Sequence, residues 1–369
     1  MLVVHVGTPK SGTKALQGYL LRNSEALLDQ GVRYIEAGRE KRGHRIAHNE
    51  LARAIKGNAD IAMWDRLRDE LAESDSRVNV MSAEGFWFCD PALLKKQLPR
   101  VKNVRIVVYL RRQDKYLQSL YMQTVSAGKE HSFAEWRENV GDRGNYLETV
   151  DAWAEEFGSK SIIVRPYERN GVVDTVADFN AVIGATPLQT VQHLRTNPSP
   201  RRELLHFVRA LNDLKLNVDQ QRLFNELIHK DTAYMRSCDL LTYEESAALL
   251  EGYKEENQLL IEKYYHDTSA PLFPELVPFG FSDRWDMDSE QYYRLTVDIL
   301  DVLTDFILEG QLSKQKPPAP REDVENRPAA NGRAKNLGDS RMTNGKGEAR
   351  NPRRDNRPNR RTNGIEAGE

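Results

Sequence analysis

Leu2-Val3-Val4-His5-Val6-Gly7-Thr8-Pro9-Lys10-Ser11-Gly12-Thr13-Lys14 starts as an apolar run, turns between two glycines and passes into helical spacing. The run is too short for a helix and reads as a buried strand. Over residues 12–29, Leu16, Leu20, Leu21, Leu27 and Leu28 recur at helical intervals. A glycine-bracketed turn between strand and helix makes an anion cradle, because free N–H groups converge there with the positive end of the helix dipole. Gly7 and Gly12 permit the tight backbone path. Lys10 is placed to reach a bound oxyanion, and Thr13 offers a hydroxyl. The plain alternative, a glycine turn with surface lysines, does not need the strand–loop–helix context seen here.

Outward from this stretch, short β-branched runs alternate with helix-length segments. Val32 to Ile35 is a short second strand, and helical spacing marks residues 49–55 and 62–71. Val78-Asn79-Val80-Met81-Ser82 follows, then Val104-Arg105-Ile106-Val107-Val108-Tyr109-Leu110, then Ser161-Ile162-Ile163-Val164-Arg165. Strands separated by helices imply crossover connections and a parallel sheet covered on both faces. From Pro200 the texture becomes helical, with stripes at Leu204, Leu205, Val208 and Leu211 and at Leu223, Phe224, Leu227 and Ile228. Thr242-Tyr243-Glu244-Glu245 has the order of a capping box, and a last helix runs through Tyr292 to Phe306. The expected organisation is one α/β domain over residues 1–310, with residues 200–310 as its helical extension. Residues 311–369 are rich in Pro, Gly, Asn and Arg and poor in large apolar side chains, so a disordered basic tail is expected there.

Composition narrows the function. The 369 residues carry a formal net charge of -2, so no global field points to nucleic acid or an anionic membrane. An anion site must be local. Two cysteines, Cys89 and Cys238, cannot build a disulfide framework, which favours a reducing, cytoplasmic setting. The apolar start is too short for a signal peptide, and no stretch has the length of a membrane span. Cys89, beside Phe86, Trp87 and Phe88, is expected to be buried.

A nucleoside-triphosphate loop reads G-x-x-x-x-G-K-[ST], with lysine directly after the second glycine. Here Thr13 precedes Lys14, and the principal lysine, Lys10, lies before Gly12. Pro9-Lys10-Ser11-Gly12-Thr13 resembles the 5′-phosphosulfate loop of sulfotransferases that use 3′-phosphoadenosine 5′-phosphosulfate (PAPS), whose pattern is close to P-K-x-G-T. A second match lies at the end of the 104–110 strand. Arg111, followed eight positions later by Ser119, resembles that family's pair for the 3′-phosphate. An arginine fork suits a phosphate by bidentate hydrogen bonding. Residues 161–169, 178–184 and 253–273 resemble later parts of the family less specifically. The Arg-Lys-Gly element of the cytosolic eukaryotic branch is absent, and Arg195-Thr196-Asn197-Pro198-Ser199 is the candidate replacement.

The resemblance, to a bacterial and carbohydrate-sulfotransferase-like branch, implies a three-layer α/β/α fold around a central parallel sheet of about five strands. It implies PAPS as co-substrate, adenosine 3′,5′-bisphosphate as product, and binding through Pro9, Lys10, Ser11, Gly12, Thr13, Lys14, Arg111 and Ser119. It implies in-line transfer without a metal, with Lys10 neutralising the leaving group. Glu84, just past the 78–82 strand, is the first choice as general base, because carbohydrate sulfotransferases carry a glutamate in that place. The acceptor is then expected to be a hydroxyl or amine, possibly of a carbohydrate. His48 is the rival base; His44 and His48 share a helical face, but no third ligand completes a zinc site. Arg165 and Arg169 are further candidate contacts, and His5 is expected in the core. Two other functions remain open: an ATP-dependent small-molecule kinase, and a non-catalytic nucleotide-binding scaffold recruited through the tail.

Overall fold

The apolar runs form five strands: β1 (Leu2–Val6), β2 (Val32–Tyr34), β3 (Val78–Ala83), β4 (Val104–Leu110) and β5 (Ile162–Pro166). They pair in the order β2-β3-β1-β4-β5, and every pairing is parallel. The computed structural model describes residues 1–39, 46–55, 61–129, 131–167, 175–188, 202–215, 218–230, 239–266, 271–279 and 289–309. The tail at 311–369, His44, Arg169, Cys238 and residues 195–199 lie outside the described residues.

The helices up to the last strand are α1 (Thr13–Arg22), α2 (Ser24–Asp29), α3 (Asn49–Ile55), α4 (Ile61–Glu73), α5 (Pro91–Gln97), α6 (Gln113–Ser126), α7 (Phe133–Asn139) and α8 (Tyr146–Phe157). After it come α9 (Thr175–Ile183), α10 (Arg202–Asp213), α11 (Gln220–Lys230), α12 (Tyr243–Glu251), α13 (Lys254–Tyr264) and α14 (Ser289–Leu308). The expected single helix over residues 12–29 is two. Asn23 interrupts it by donating its side-chain amide to the Tyr19 carbonyl at 2.9 Å, which competes with backbone pairing. Thr242 and Glu245 close the expected capping box at the start of α12.

Strand alternation sorts the core into two layers. Val3, Val80, Val107 and Tyr109 face Leu16, Tyr19 and Leu20 of α1 and Phe179 of α9. Leu2, Val4, Val6, Met81, Ile106 and Val108 face the opposite layer, which holds Leu94, Tyr116, Leu117, Val150 and Trp153. Each fully buried aliphatic side chain contributes about 1.5–3 kcal/mol relative to exposure. The C-terminal helices join that second layer through Leu204, Leu223, Leu260, Leu295 and Phe306. No helix among the described residues is long and apolar enough to cross a membrane.

One consequence of this layering positions the site. Strands β1 and β4 are neighbours, with Val6 opposite Val108. The helix after β1 packs on one face of the sheet, and the helix after β4 packs on the other. Two adjacent parallel strands whose chains leave to opposite faces open a crevice at their carboxyl ends, which is where open α/β sheets hold ligands.

Candidate functional site

The β1–α1 turn lines one side of that crevice. Lys10 and Gly12 both adopt left-handed backbone, at φ 64° and 77°. For lysine this conformation costs roughly 1–2 kcal/mol, so the surrounding turn must impose it. Such alternation turns successive N–H groups toward one concavity, a backbone nest suited to an anion. The Ser11 hydroxyl donates to the Thr8 carbonyl at 2.7 Å and fixes the turn from inside. The Thr8 hydroxyl is buried and has no hydrogen-bond partner among the described residues, an orphaned polar atom within the turn. Gly12 supplies no side-chain cap to α1, which leaves the Thr13 and Lys14 N–H groups for a ligand, while the Ala15 N–H donates to the Gly12 carbonyl at 3.0 Å.

Gly7 brings the exits of β1 and β3 together. A Cβ there would meet Thr13 Cγ2 at 2.2 Å and the Glu84 Cα at 3.1 Å. Glu84 therefore sits directly against the loop, at the start of a short 3-10 turn, Glu84–Phe88. Its carboxyl is half-buried. Burial pushes its pKa up from the ordinary value, while the nearby charges of Lys10 and Lys14 pull the other way. The turn is pinned from below, since Asn49 Oδ1 accepts the Gly85 N–H at 3.4 Å. Cys89 is buried as expected, and its thiol donates to the Gly85 carbonyl at 3.1 Å. Phe86 and Trp87 are core residues, whereas Phe88 is exposed.

Arg111 stands across the crevice at the end of β4. The Tyr146 hydroxyl donates to its carbonyl at 2.7 Å. Its guanidinium carbon lies 5.9 Å from the centre of the Tyr167 ring. Tyr167 follows β5 and continues its pairing, donating its N–H to the Leu110 carbonyl at 2.8 Å. The same ring covers the loop, since a Cβ on Gly12 would come within 2.7 Å of its Cε2. Tyr167 thus touches both halves of the site. Ser119 lies buried on α6, two helical turns beyond Arg111, and its side chain has no hydrogen bond among the described residues.

Arg112, the neighbour of Arg111, is fully committed elsewhere. Its Nε and Nη2 donate to the two carboxylate oxygens of buried Asp114 at 2.8 and 2.9 Å. Its Nη1 donates to the Pro274 and Glu275 carbonyls at 2.9 and 3.0 Å. This tie fastens the segment at 271–279 to the start of α6. Gln113 and Asn257 exchange side-chain amide hydrogen bonds at 2.6 and 3.2 Å beside it.

Two candidates named from the sequence, His48 and Arg165, are committed to other partners. His48 is fully buried with both ring nitrogens in use: Nδ1 accepts the Ser82 N–H at 3.1 Å and Nε2 faces the Ile35 carbonyl at 2.9 Å. Burial lowers its pKa to about 4, so it is a neutral clasp between β3 and the end of β2, without a ring nitrogen to offer an acceptor. Arg165 is held by Asp178, with Nε 3.0 Å from each carboxylate oxygen. That pair, with the Tyr109 hydroxyl donating to Asp178 at 2.6 Å, links β4 and β5 to α9. His5 is in the core, hydrogen-bonded to the Ser82 hydroxyl at 2.7 Å. Among the described residues, no group of three or more His, Cys, Asp or Glu is arranged to hold a metal ion.

Sequence reasoning missed one residue at this edge. Tyr167 had one signal, its position directly after a strand in the alternating pattern.

No protein-family model matches the chain. An uncharacterized protein of Archaeoglobus fulgidus is 28% identical over 175 residues, 45% of this chain and 47% of that protein. The chain therefore spans about half the length of the curated relative it matches. Among solved structures, a sulfotransferase from Alicyclobacillus acidocaldarius is similar over 63% of this chain and 98% of its own, at 19% identity and a TM-score of 0.36. The sulfotransferase domain from the curacin biosynthetic pathway is similar over 54% of this chain and 78% of its own, at 12% identity and a TM-score of 0.29.

Proposed function

We propose that the chain is a sulfotransferase that moves a sulfuryl group from PAPS to a hydroxyl or amine of its acceptor, a carbohydrate being the favoured class. One observation carries this reading: Lys10's loop and Arg111 face each other across one crevice, joined by the Tyr167 ring that contacts Gly12 and lies beside the Arg111 guanidinium. A loop for one phosphate and an arginine for another, both beside one tyrosine ring, suit a nucleoside 3′,5′-bisphosphate. The loop's fit to an anion rests on its left-handed pair and on the orphaned Thr8 hydroxyl.

In this reading the loop N–H groups, Lys10 and Thr13 hold the 5′-phosphosulfate, while Arg111 and Ser119 hold the 3′-phosphate. Pro9, Ser11 and Gly12 shape the turn, and Lys14 adds positive charge at its rim. The acceptor oxygen uses a lone pair to bond to sulfur, and its proton passes to the Glu84 carboxylate. The bond from sulfur to the bridging 5′ oxygen breaks, and its electron pair leaves with adenosine 3′,5′-bisphosphate. Lys10 stabilises the charge that grows on that oxygen. Positioning and electrostatics supply the rate in such a loose, in-line transfer. Glu84 is the better base than His48, because it stands at the loop with a carboxyl that burial makes more basic.

Calorimetry tests the assignment. The full chain should bind adenosine 3′,5′-bisphosphate without added magnesium, and more tightly than ATP. A preference for ATP, or a requirement for magnesium, overturns it.

A further inference from the structure

We propose that the chain pairs with a second copy of itself through the outer face of α14, the two helices running antiparallel. This pairing stands apart from the sulfuryl-transfer reading and uses none of its site.

α14 is apolar on two faces. Leu295, Ile299, Val302 and Phe306 are buried in the core layer that also holds Leu223, Phe224 and Leu227 of α11. Arg222 of α11 fastens the helix there: its guanidinium carbon lies 5.0 Å from the centre of the Phe306 ring, and its Nη2 pairs with Glu309 at 3.1 Å. On the outside stand Tyr293, Val297, Leu300, Thr304 and Ile307, with Tyr293 65%, Leu300 56% and Ile307 57% exposed. Thr304 donates its hydroxyl to the Leu300 carbonyl at 2.7 Å, which leaves its methyl group as the apolar part. Single exposed apolar residues are ordinary. These follow one another in steps of four and three, the seam of a two-helix coiled coil.

Charge selects both the occupant and its direction. About a two-fold axis between Val297 and Leu300, antiparallel helices set Val297 of each copy against Leu300 of the other, and Tyr293 against Thr304. Arg294 of each helix then flanks Asp301 of the other, and the symmetry makes that pair twice. A parallel arrangement would set the same two charges against Ser289 and Thr296. A membrane surface favours a basic polar face, whereas Asp298, Asp301 and Asp305 flank this seam and Arg294 is the only basic residue of α14. The residues that follow offer no matching stripe, since between Lys314 and Glu369 the only large apolar side chains are Val324, Leu337, Met342 and Ile365. The seam is about 24 Å long at 1.5 Å per residue, so the pairing belongs to the weak class, with dissociation on the order of 10 µM.

Sedimentation velocity of the full chain tests this. A series from about 1 to about 100 µM should show a monomer–dimer equilibrium. Leu300→Glu should weaken it by about tenfold or more. Arg294→Asp and Asp301→Arg should each be monomeric alone, because each sets like charges together across the two-fold. An equal mixture of the two should restore the dimer, since their charges complement each other only between antiparallel helices. A monomer at every concentration, a dimer that Leu300→Glu leaves intact, or a mixture that stays monomeric overturns the proposal. If the chain is monomeric, a Leu300→Cys side chain shielded from maleimide assigns the face to the chain's own residues. Cosedimentation with phosphatidylcholine–phosphatidylglycerol vesicles assigns it to a membrane, and either result displaces the second copy.

Discussion

Gly12 and Tyr167 are in contact so close that a methyl group on the glycine would lie 2.7 Å from the tyrosine ring, at a backbone φ of 77°. Two separate penalties meet at that position. A Gly12→Ala chain should be destabilised by about 1–2 kcal/mol from the left-handed backbone alone. The displaced ring should also loosen the crevice, weakening adenosine 3′,5′-bisphosphate binding by more than about tenfold. Denaturant titration and calorimetry report the two effects separately, and unchanged bisphosphate affinity would show that the ring contact plays no part in the site.

Arg111 and Arg112 should behave as opposites. Arg111→Ala removes a half-buried guanidinium at the crevice, so bisphosphate affinity should fall with little change in stability. Arg112→Ala leaves the Asp114 carboxylate buried without its partner, a loss of about 3–5 kcal/mol for a broken internal pair. Urea unfolding of the two variants decides this. Equal stability losses would contradict the division of labour.

With Glu84 as the proposed base, its ionisation should set the acid side of the activity profile. A base must be ionised to accept the proton, so the rate should fall as pH drops through its pKa. Burial sets that inflection above the usual glutamate range, and Lys10 and Lys14 hold it down from a still higher value. Lys14→Ala should move the inflection upward, and Glu84→Gln should lower kcat by about 100-fold or more. A Glu84→Gln enzyme with full activity would remove it as base.

The two buried histidines should make stability depend on pH in acid. Folding depresses the pKa of His48 from 6.5 to about 4 and that of His5 from 6.5 to about 3. Between those values the unfolded chain binds the extra protons, so stability is full above pH 6.5 and declines as pH falls. Each residue should account for about 2 kcal/mol of loss between pH 7 and pH 5. Chemical denaturation at the two pH values measures it. His48→Asn should flatten that dependence and lower the melting temperature, while the folded fraction keeps the wild-type pH profile of activity. A profile whose inflection disappears in the variant would restore His48 as a catalytic group.

Legibility in the sequence followed distance along the chain. The strand, turn and helix around Lys10 are contiguous, so their periodicities and glycines sufficed to read an anion cradle. Arg111 was legible as a strand-end residue, but nothing local separates it from Arg112. That choice is made by Asp114 and by two carbonyls more than a hundred residues away. His48 misled for a related reason: its spacing from His44 suggests a helical face, whereas the Ser82 and Ile35 backbones claim both of its nitrogens.

By itself the sequence determined the α/β class, the crossover connections and the place of the glycine-bracketed turn. These follow from apolar periodicity and turn chemistry, which act between near neighbours. Only the tertiary structure decided that β1 and β4 lie side by side with their helices on opposite faces, and that Tyr167 arrives at the crevice between them. Those outcomes depend on burying two different sheet faces at once, a long-range packing requirement that no local stretch encodes.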